Sequence, residues 1–197
     1  VIDRRNDIYK ILNLKNYKLG IEVGTFEGDF SRTILSTWNG TLYSLDIWKT
    51  LDNEEYVDTS NNITPFDTLG KTIINIEGFE DRSVLIRTSS ENGSKIFPNE
   101  YFDFVYIDAN HKYSYVKQDI ELWYPKIKHG GMISGHDYIN DYKPDQTVNG
   151  YDTNVWIDNN FCGLFGVNPA VDEFVKKYNL DLNITSEYFG TWYTFKK

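Results

Sequence analysis

The sequence predicts an α/β fold, a doubly wound sheet that is mostly parallel and closes with an antiparallel C-terminal strand. Three observations carry this. Short apolar runs ending on glycine or aspartate alternate with segments of helical periodicity. One of these runs, Phe102–Ile107 (FDFVYI), is an unbroken buried-strand pattern that stops at Asp108. A turn carrying two glycines, Gly24 and Gly28, joins the first run to the helix that follows it.

The elements follow in order. Residues 1–16 read as a short amphipathic helix with Ile2, Ile8, Ile11 and Leu12 near one face. Leu19–Val23 is a buried strand, and Phe26–Leu35 a helix after the glycine turn. Thr41–Ile47 is a second strand, residues 49–64 a polar mobile loop, and Phe66–Ile74 a helix. Ser83–Arg87 is the third strand and Phe102–Ile107 the fourth. Tyr113–Ile127 is a helix, with Val116, Ile120 and Trp123 at helical spacing, and Gly130-Gly131 as its stop. A strand starts at Met132–Ser134, and an aromatic-containing loop covers 139–168. Pro169–Tyr178 is a helix with proline in its first turn, and Leu180–Ile184 and Thr191–Phe195 form a terminal strand pair.

Length and composition bound the function. The 197 residues fit one domain, and a start at Val1 suits a domain cut from a longer protein. No apolar run approaches the ~20 residues that span a bilayer, and no secretion signal is visible. A net charge of −9 without a Lys/Arg cluster argues against a nucleic-acid substrate. The single cysteine, Cys162, excludes an internal disulfide and suits a reducing, cytoplasmic location.

In an open α/β sheet, ligands bind beyond the carboxyl ends of the strands. The first such end reads Glu22-Val-Gly24-Thr25-Phe-Glu-Gly28. It is neither the dinucleotide GxGxxG nor a phosphate-cradling loop, since it lacks the Lys-Ser/Thr pair, and Glu22 would repel a pyrophosphate. A cationic ligand fits better: Glu22 suits the amino end of a sulfonium amino acid, and the glycines let adenosine approach the main chain. Asp46, ending the next strand, can accept both hydroxyls of a ribose. The plain alternative is a strand–helix turn with a capping acid.

The second cluster comes from residues 103–138. Asp108 follows one strand tip and His136-Asp137 the next, so neighbouring parallel strands bring them together. Two carboxylates and an imidazole suit Mg²⁺ or Mn²⁺, and such an ion would lower the pKa of a substrate hydroxyl. His136 could instead orient Asp137. His111, three residues after Asp108, is placed to act as a general base or as an orienting hydrogen-bond partner.

EVGTFEG followed by LDIW resembles the cofactor signature of class I S-adenosylmethionine (SAM)-dependent methyltransferases. The resemblance implies a Rossmann-like sheet, with Gly24, Thr25 and Gly28 under the methionine moiety and Glu22 near its amino group. It also implies Asp46 on the ribose, Asp108 beside the cofactor and Ser89 near the adenine. Ser89 reads equally well as a helix cap. The run IDANHKY…DIELWYPKIKHGGMISGHDY, with FGVNPAVDEF and TWYTFKK, resembles the macrolide and aminocoumarin sugar O-methyltransferases. It is also similar to the wider set of small bacterial and viral glycan-modifying methyltransferases. Those sugar enzymes carry acids where this chain has Asn110 and His136, which moves proton removal to His111.

The expected activity is therefore methyl transfer from SAM to a sugar or glycan hydroxyl, such as that of a deoxysugar, assisted by a metal at Asp108, His136 and Asp137. Tyr138, Tyr151 and Trp156 are candidate acceptor contacts, with Asp141 and Phe161 beside them. The rival for the loop aromatics is packing onto the core. Competing functions are O- or N-methylation of another small molecule and a non-catalytic SAM-binding domain. A homo-oligomer is left open.

Overall fold

The computed structural model describes residues 2–49, 65–140, 147–148, 151–152 and 166–197. A seven-stranded sheet organises them. Its strands are β1 (Leu19–Val23), β2 (Thr41–Asp46), β3 (Ser83–Arg87), β4 (Phe102–Ile107), β5 (Ile127–Ile139), β8 (Asn183–Ile184) and β9 (Phe189–Phe195), in the order β3-β2-β1-β4-β5-β9-β8. The first five strands pair in parallel, and β9 runs antiparallel to β5. A separate two-residue pair, β6 (Thr147–Val148) and β7 (Tyr151–Asp152), completes the strands described.

Helices cover both faces. On one, α1 (Ile8–Leu14) and α2 (Asp29–Thr37) bury Ile8, Leu12, Phe30 and Ile34 against Phe104, Tyr106 and Tyr193. On the other, α5 (Tyr113–Trp123) and α6 (Val167–Tyr178) bury Val116, Ile120, Trp123, Val171 and Phe174 against Val105, Ile107 and Ile133. The remaining helices are α3 (Pro65–Asn75) and the single turn α4 (Ser90–Ser94). The strand order switches between the parallel neighbours β1 and β4, with β2 and β3 added on one side and β5 on the other, and at such a switch point the carboxyl ends open a crevice.

Several boundaries differ from the sequence reading, each for a local reason. The N-terminal helix covers only Ile8–Leu14 after a 3-10 turn at Arg5–Asp7, because residues before it lie as a strap. There Ile2 enters the core, and Asp3 accepts from the Ser186 N–H and hydroxyl. Helix α2 starts at Asp29 rather than Phe26, since Gly28 sits at φ +83°, outside helical space. Helix α5 ends at Trp123 and passes through a 3-10 turn containing Pro125. Gly130 and Gly131 are thus not its stop; they lie inside β5. A side chain at Gly131 would meet the Asp103 carbonyl oxygen at 2.7 Å, so the glycine permits close strand approach near a register shift. The 50–64 part of the expected first loop lies outside the described residues, as do Asp141, Trp156 and Phe161.

Candidate active site

At the β1 and β2 tips, side chains hold main chain. Gly24 adopts φ +92°, and a Cβ there would stand 2.1 Å from the Asp108 carbonyl oxygen. Only glycine, which has no Cβ, lets the main chain pass this close to the β4 tip at that position. Thr25 is buried, with its hydroxyl donating to the Leu45 carbonyl at 3.3 Å. Phe26 takes a left-handed backbone at φ +52° and is held from three sides. Its N–H donates to Asp46 Oδ2 (2.9 Å), and its carbonyl accepts from the Trp48 indole and the Thr72 hydroxyl, both at 2.9 Å. Asp46 Oδ1 accepts the Trp48 N–H at 2.8 Å. Both Asp46 oxygens therefore stabilise the loop, and a carboxylate with about four acceptor positions retains some for a ligand.

Glu22 is fully buried under this loop. It takes the Ser31 hydroxyl, which in turn contacts the Ser44 hydroxyl at 2.7 Å. Burial pushes its carboxyl up to about 8, against the lowering effects of Ser31 and Arg5. It is thus a proton-bearing acid at neutral pH, directed to α2. Ser89 caps α4, its hydroxyl accepting the Asn92 N–H at 3.3 Å. Behind it, Ser90 joins Asp119 to the Trp123 indole, tying the β3–α4 turn to α5. Burial raises the Asp119 carboxyl to about 6.

At the β4 and β5 tips, side chains hold one another. Ile107 pairs with Gly135, so Asp108 and His136-Asp137 leave adjacent strand ends. A register shift between Gly135 and Tyr138 interrupts pairing with β9, and Asp137 sits there at φ +59°. Such an irregularity re-aims a side chain beside a site. His111 Nε2 lies 2.8 Å from Asp137 Oδ2 and 3.4 Å from Asp108 Oδ1. His136 Nδ1 lies 3.0 Å from the other Asp137 oxygen. Burial alone would raise the Asp137 carboxyl, but hydrogen bonds from His111 and His136 hold it far below the usual range. Asp108 is held low in the same way, with burial outweighed by the Arg5 guanidinium and then by His111.

Asp108, His111 and Asp137 each offer one ligand atom, all within 4.8 Å of one another. Two carboxylate oxygens and an imidazole nitrogen form a donor set that fits a divalent ion. His136, expected as a ligand, contacts Asp137 Oδ1, and the converging trio has His111 in its place. Tyr138 donates its hydroxyl to Asp172 on α6 at 2.9 Å. Tyr151 contributes backbone to β7. Sequence reasoning missed Arg5, whose Nη2 donates to Asp108 Oδ2 at 2.6 Å. An arginine 103 positions away carries no local signal for this contact.

This sheet order, the glycine loop under the β1 tip and the acids at the β2 and β4 tips define the Rossmann-like fold of SAM-dependent methyltransferases. Residues 21–138 match the profile of a family described as a methyltransferase domain, and the chain belongs to that family. It is a SAM-dependent methyltransferase. Among solved structures it is similar to a Staphylococcus aureus protein described as a caffeoyl-CoA O-methyltransferase. That match has a TM-score of 0.69 and 17% identity, covering 100% of this chain and 85% of the other. An O-methyltransferase from Bacillus cereus, in complex with S-adenosylhomocysteine (SAH), matches with a TM-score of 0.61 and 15% identity, covering 98% and 80%. A Clostridium thermocellum protein described as an rRNA methylase matches at 0.61 and 15%, covering 100% and 97%. No curated protein matches the chain. Among the described residues, no helix is long and apolar enough to cross a membrane.

Proposed function

We propose that this methyltransferase acts on a hydroxyl oxygen of a small-molecule acceptor, with a sugar hydroxyl as the first class to test. The single observation that carries this reading is the pair His111–Asp137, 2.8 Å apart, with His111 also 3.4 Å from Asp108. An imidazole that donates its Nε2–H to a carboxylate carries its lone pair on Nδ1, and the carboxylate stabilises the imidazolium formed on proton uptake. In the transfer, the acceptor oxygen forms a bond to the methyl carbon as the sulfonium S–C bond breaks, and the hydroxyl proton passes to His111. SAH and the methyl ether are the products. The chain's contribution is to align the two reacting atoms and to remove that proton.

Gly24, Thr25, Gly28 and Asp46 would seat the cofactor, with Asp108 beside it and Glu22 supporting the loop from beneath, not meeting the amino group directly. A divalent ion would be held by Asp108, His111 and Asp137, and when bound would lower the pKa of the acceptor hydroxyl. The same His111 nitrogen cannot both donate to Asp137 and ligate an ion, so the metal-free and metal-loaded states assign it different work. The sugar class rests on the likeness of the Ile107–Tyr138 run to sugar O-methyltransferases, and the O-methyltransferase neighbours support oxygen as the acceptor atom. An RNA acceptor is disfavoured by the net charge of −9.

The test is calorimetric titration with SAH, repeated on Asp46→Ala, followed by turnover of SAM with a panel of sugars, phenols and amines with and without EDTA. SAH binding weakened in the variant, with O-methyl products by mass spectrometry, supports the proposal. Transfer to nitrogen alone, or no transfer despite SAH binding, overturns it.

A further inference from the structure

We infer that Arg5 is an internal counter-cation of this site, and that Arg5 and a divalent ion contend for the Asp108 carboxylate. The inference rests on the metal reading above.

The strap before α1 crosses the carboxyl rim of the sheet and is fastened on its far side. Ile2 is buried in the core, Asp3 accepts from Ser186, and the Arg5 N–H donates to Glu187 Oε2 at 2.6 Å. These contacts place the Arg5 guanidinium over the Phe30 ring, 4.6 Å from its centroid, and 5.2 Å from that of Tyr106. A guanidinium is weakly hydrated and stacks on aromatic faces, which suits this seat. From it, Nη2 reaches Asp108 Oδ2 at 2.6 Å. Asp108 is also one of the three residues whose ligand atoms converge at the candidate metal position.

Charge decides what the two cations can do together. Asp108 and Asp137 carry two negative charges, which one divalent ion would neutralise. Adding the guanidinium leaves a net positive charge in a poorly hydrated crevice, where like charges a few ångströms apart repel more strongly than in water. The guanidinium is also incompletely satisfied, because its Nε–H is buried with no acceptor among the described residues. A buried donor left in that state is destabilising. Arg5 is therefore poised to yield Asp108. Without an ion, it keeps Asp108 ionised and in place; with one, it must release at least that carboxylate.

Mn²⁺ titration followed by electron paramagnetic resonance tests this on the full chain, using wild type, Arg5→Gln, Arg5→Lys and Asp137→Asn, with SAH binding as the check on folding. The expected result is at least a tenfold gain in Mn²⁺ affinity in Arg5→Gln, little change in Arg5→Lys, and loss in Asp137→Asn. Equal or weaker binding by Arg5→Gln, with binding still lost in Asp137→Asn, overturns the competition while leaving the metal site standing. Absence of Mn²⁺ binding in every variant removes the metal reading and the inference together. A measurement on wild type guards against a misfolded Arg5→Gln. Saturating Mg²⁺ should shift the ¹⁵N resonances of the Arg5 guanidinium, and unmoved resonances overturn the inference.

Discussion

The β1–β2 end of the crevice and the β4–β5 end are both lined with acids, yet those acids do different work. At the first end, Asp46, Trp48 and Thr72 grip the backbone of Phe26, so the loop is shaped before any ligand arrives. At the second, Arg5, Asp108, His111, Asp137 and His136 grip one another through charge-assisted contacts. A backbone-anchored carboxylate defends a shape. A carboxylate held by other side chains can exchange partners when a cation, a proton or a substrate arrives. The β1–β2 end is thus a mould, and the β4–β5 end is a set of exchangeable charges.

The largest expected effect breaks the β4–β5 end alone. His111→Gln should lower kcat by 10²–10⁴, the usual range for a lost general base, with SAH affinity unchanged. A loss below about tenfold would reduce His111 to an orienting contact. The opposite result is expected at the mould. Gly24→Ala forces a Cβ against the Asp108 carbonyl at a left-handed φ. It should cost on the order of 3–4 kcal/mol of stability in denaturant unfolding and weaken SAH binding. Unaltered stability would mean the two strand tips are not pressed together as described.

Glu22 lies beneath both ends and sharpens the comparison through pH. Its carboxyl is raised from the ordinary 4.5 to about 8 by burial. Between those values the folded protein holds a proton that the unfolded chain has released, so stability falls as pH rises across that window. Glu22→Gln should remove most of this decline, a difference of roughly 4 kcal/mol at pH 8. Parallel stability curves for the two proteins would mean that Glu22 is ionised when folded.

How much of this was legible beforehand follows from the range of each interaction. Strands Ser83–Arg87 and Phe102–Ile107 were read with their observed ends, because a buried run between polar residues is a local pattern. The meeting of Asp108 with Asp137 was legible too, since parallel neighbours place consecutive strand tips together. Gly130-Gly131 was misread as a helix stop because glycine signals both a terminus and a close strand approach, and only the facing Asp103 backbone distinguishes them. That His111 rather than His136 converges with Asp108 and Asp137 is not encoded in spacing, because a strand irregularity with Asp137 at a positive φ lies between Gly135 and Tyr138. Arg5 was out of reach for the same kind of reason, since a strap is placed by what it packs on.

Ser89 gives the smallest effect and the finest discrimination at the mould end. Its hydroxyl accepts the Asn92 N–H at the start of α4, a role that requires only an oxygen acceptor. Ser89→Ala should therefore cost about 1 kcal/mol of stability, and Ser89→Asp, which restores an acceptor, should recover it. If the hydroxyl serves the cap alone, SAH binds both variants as it binds wild type. If Ser89 also meets the adenine, Ser89→Ala weakens SAH binding, and Ser89→Asp restores stability without restoring affinity. The cap tolerates a larger acid where a snug adenine contact would not, so the two variants measured together separate the readings that the sequence alone left even.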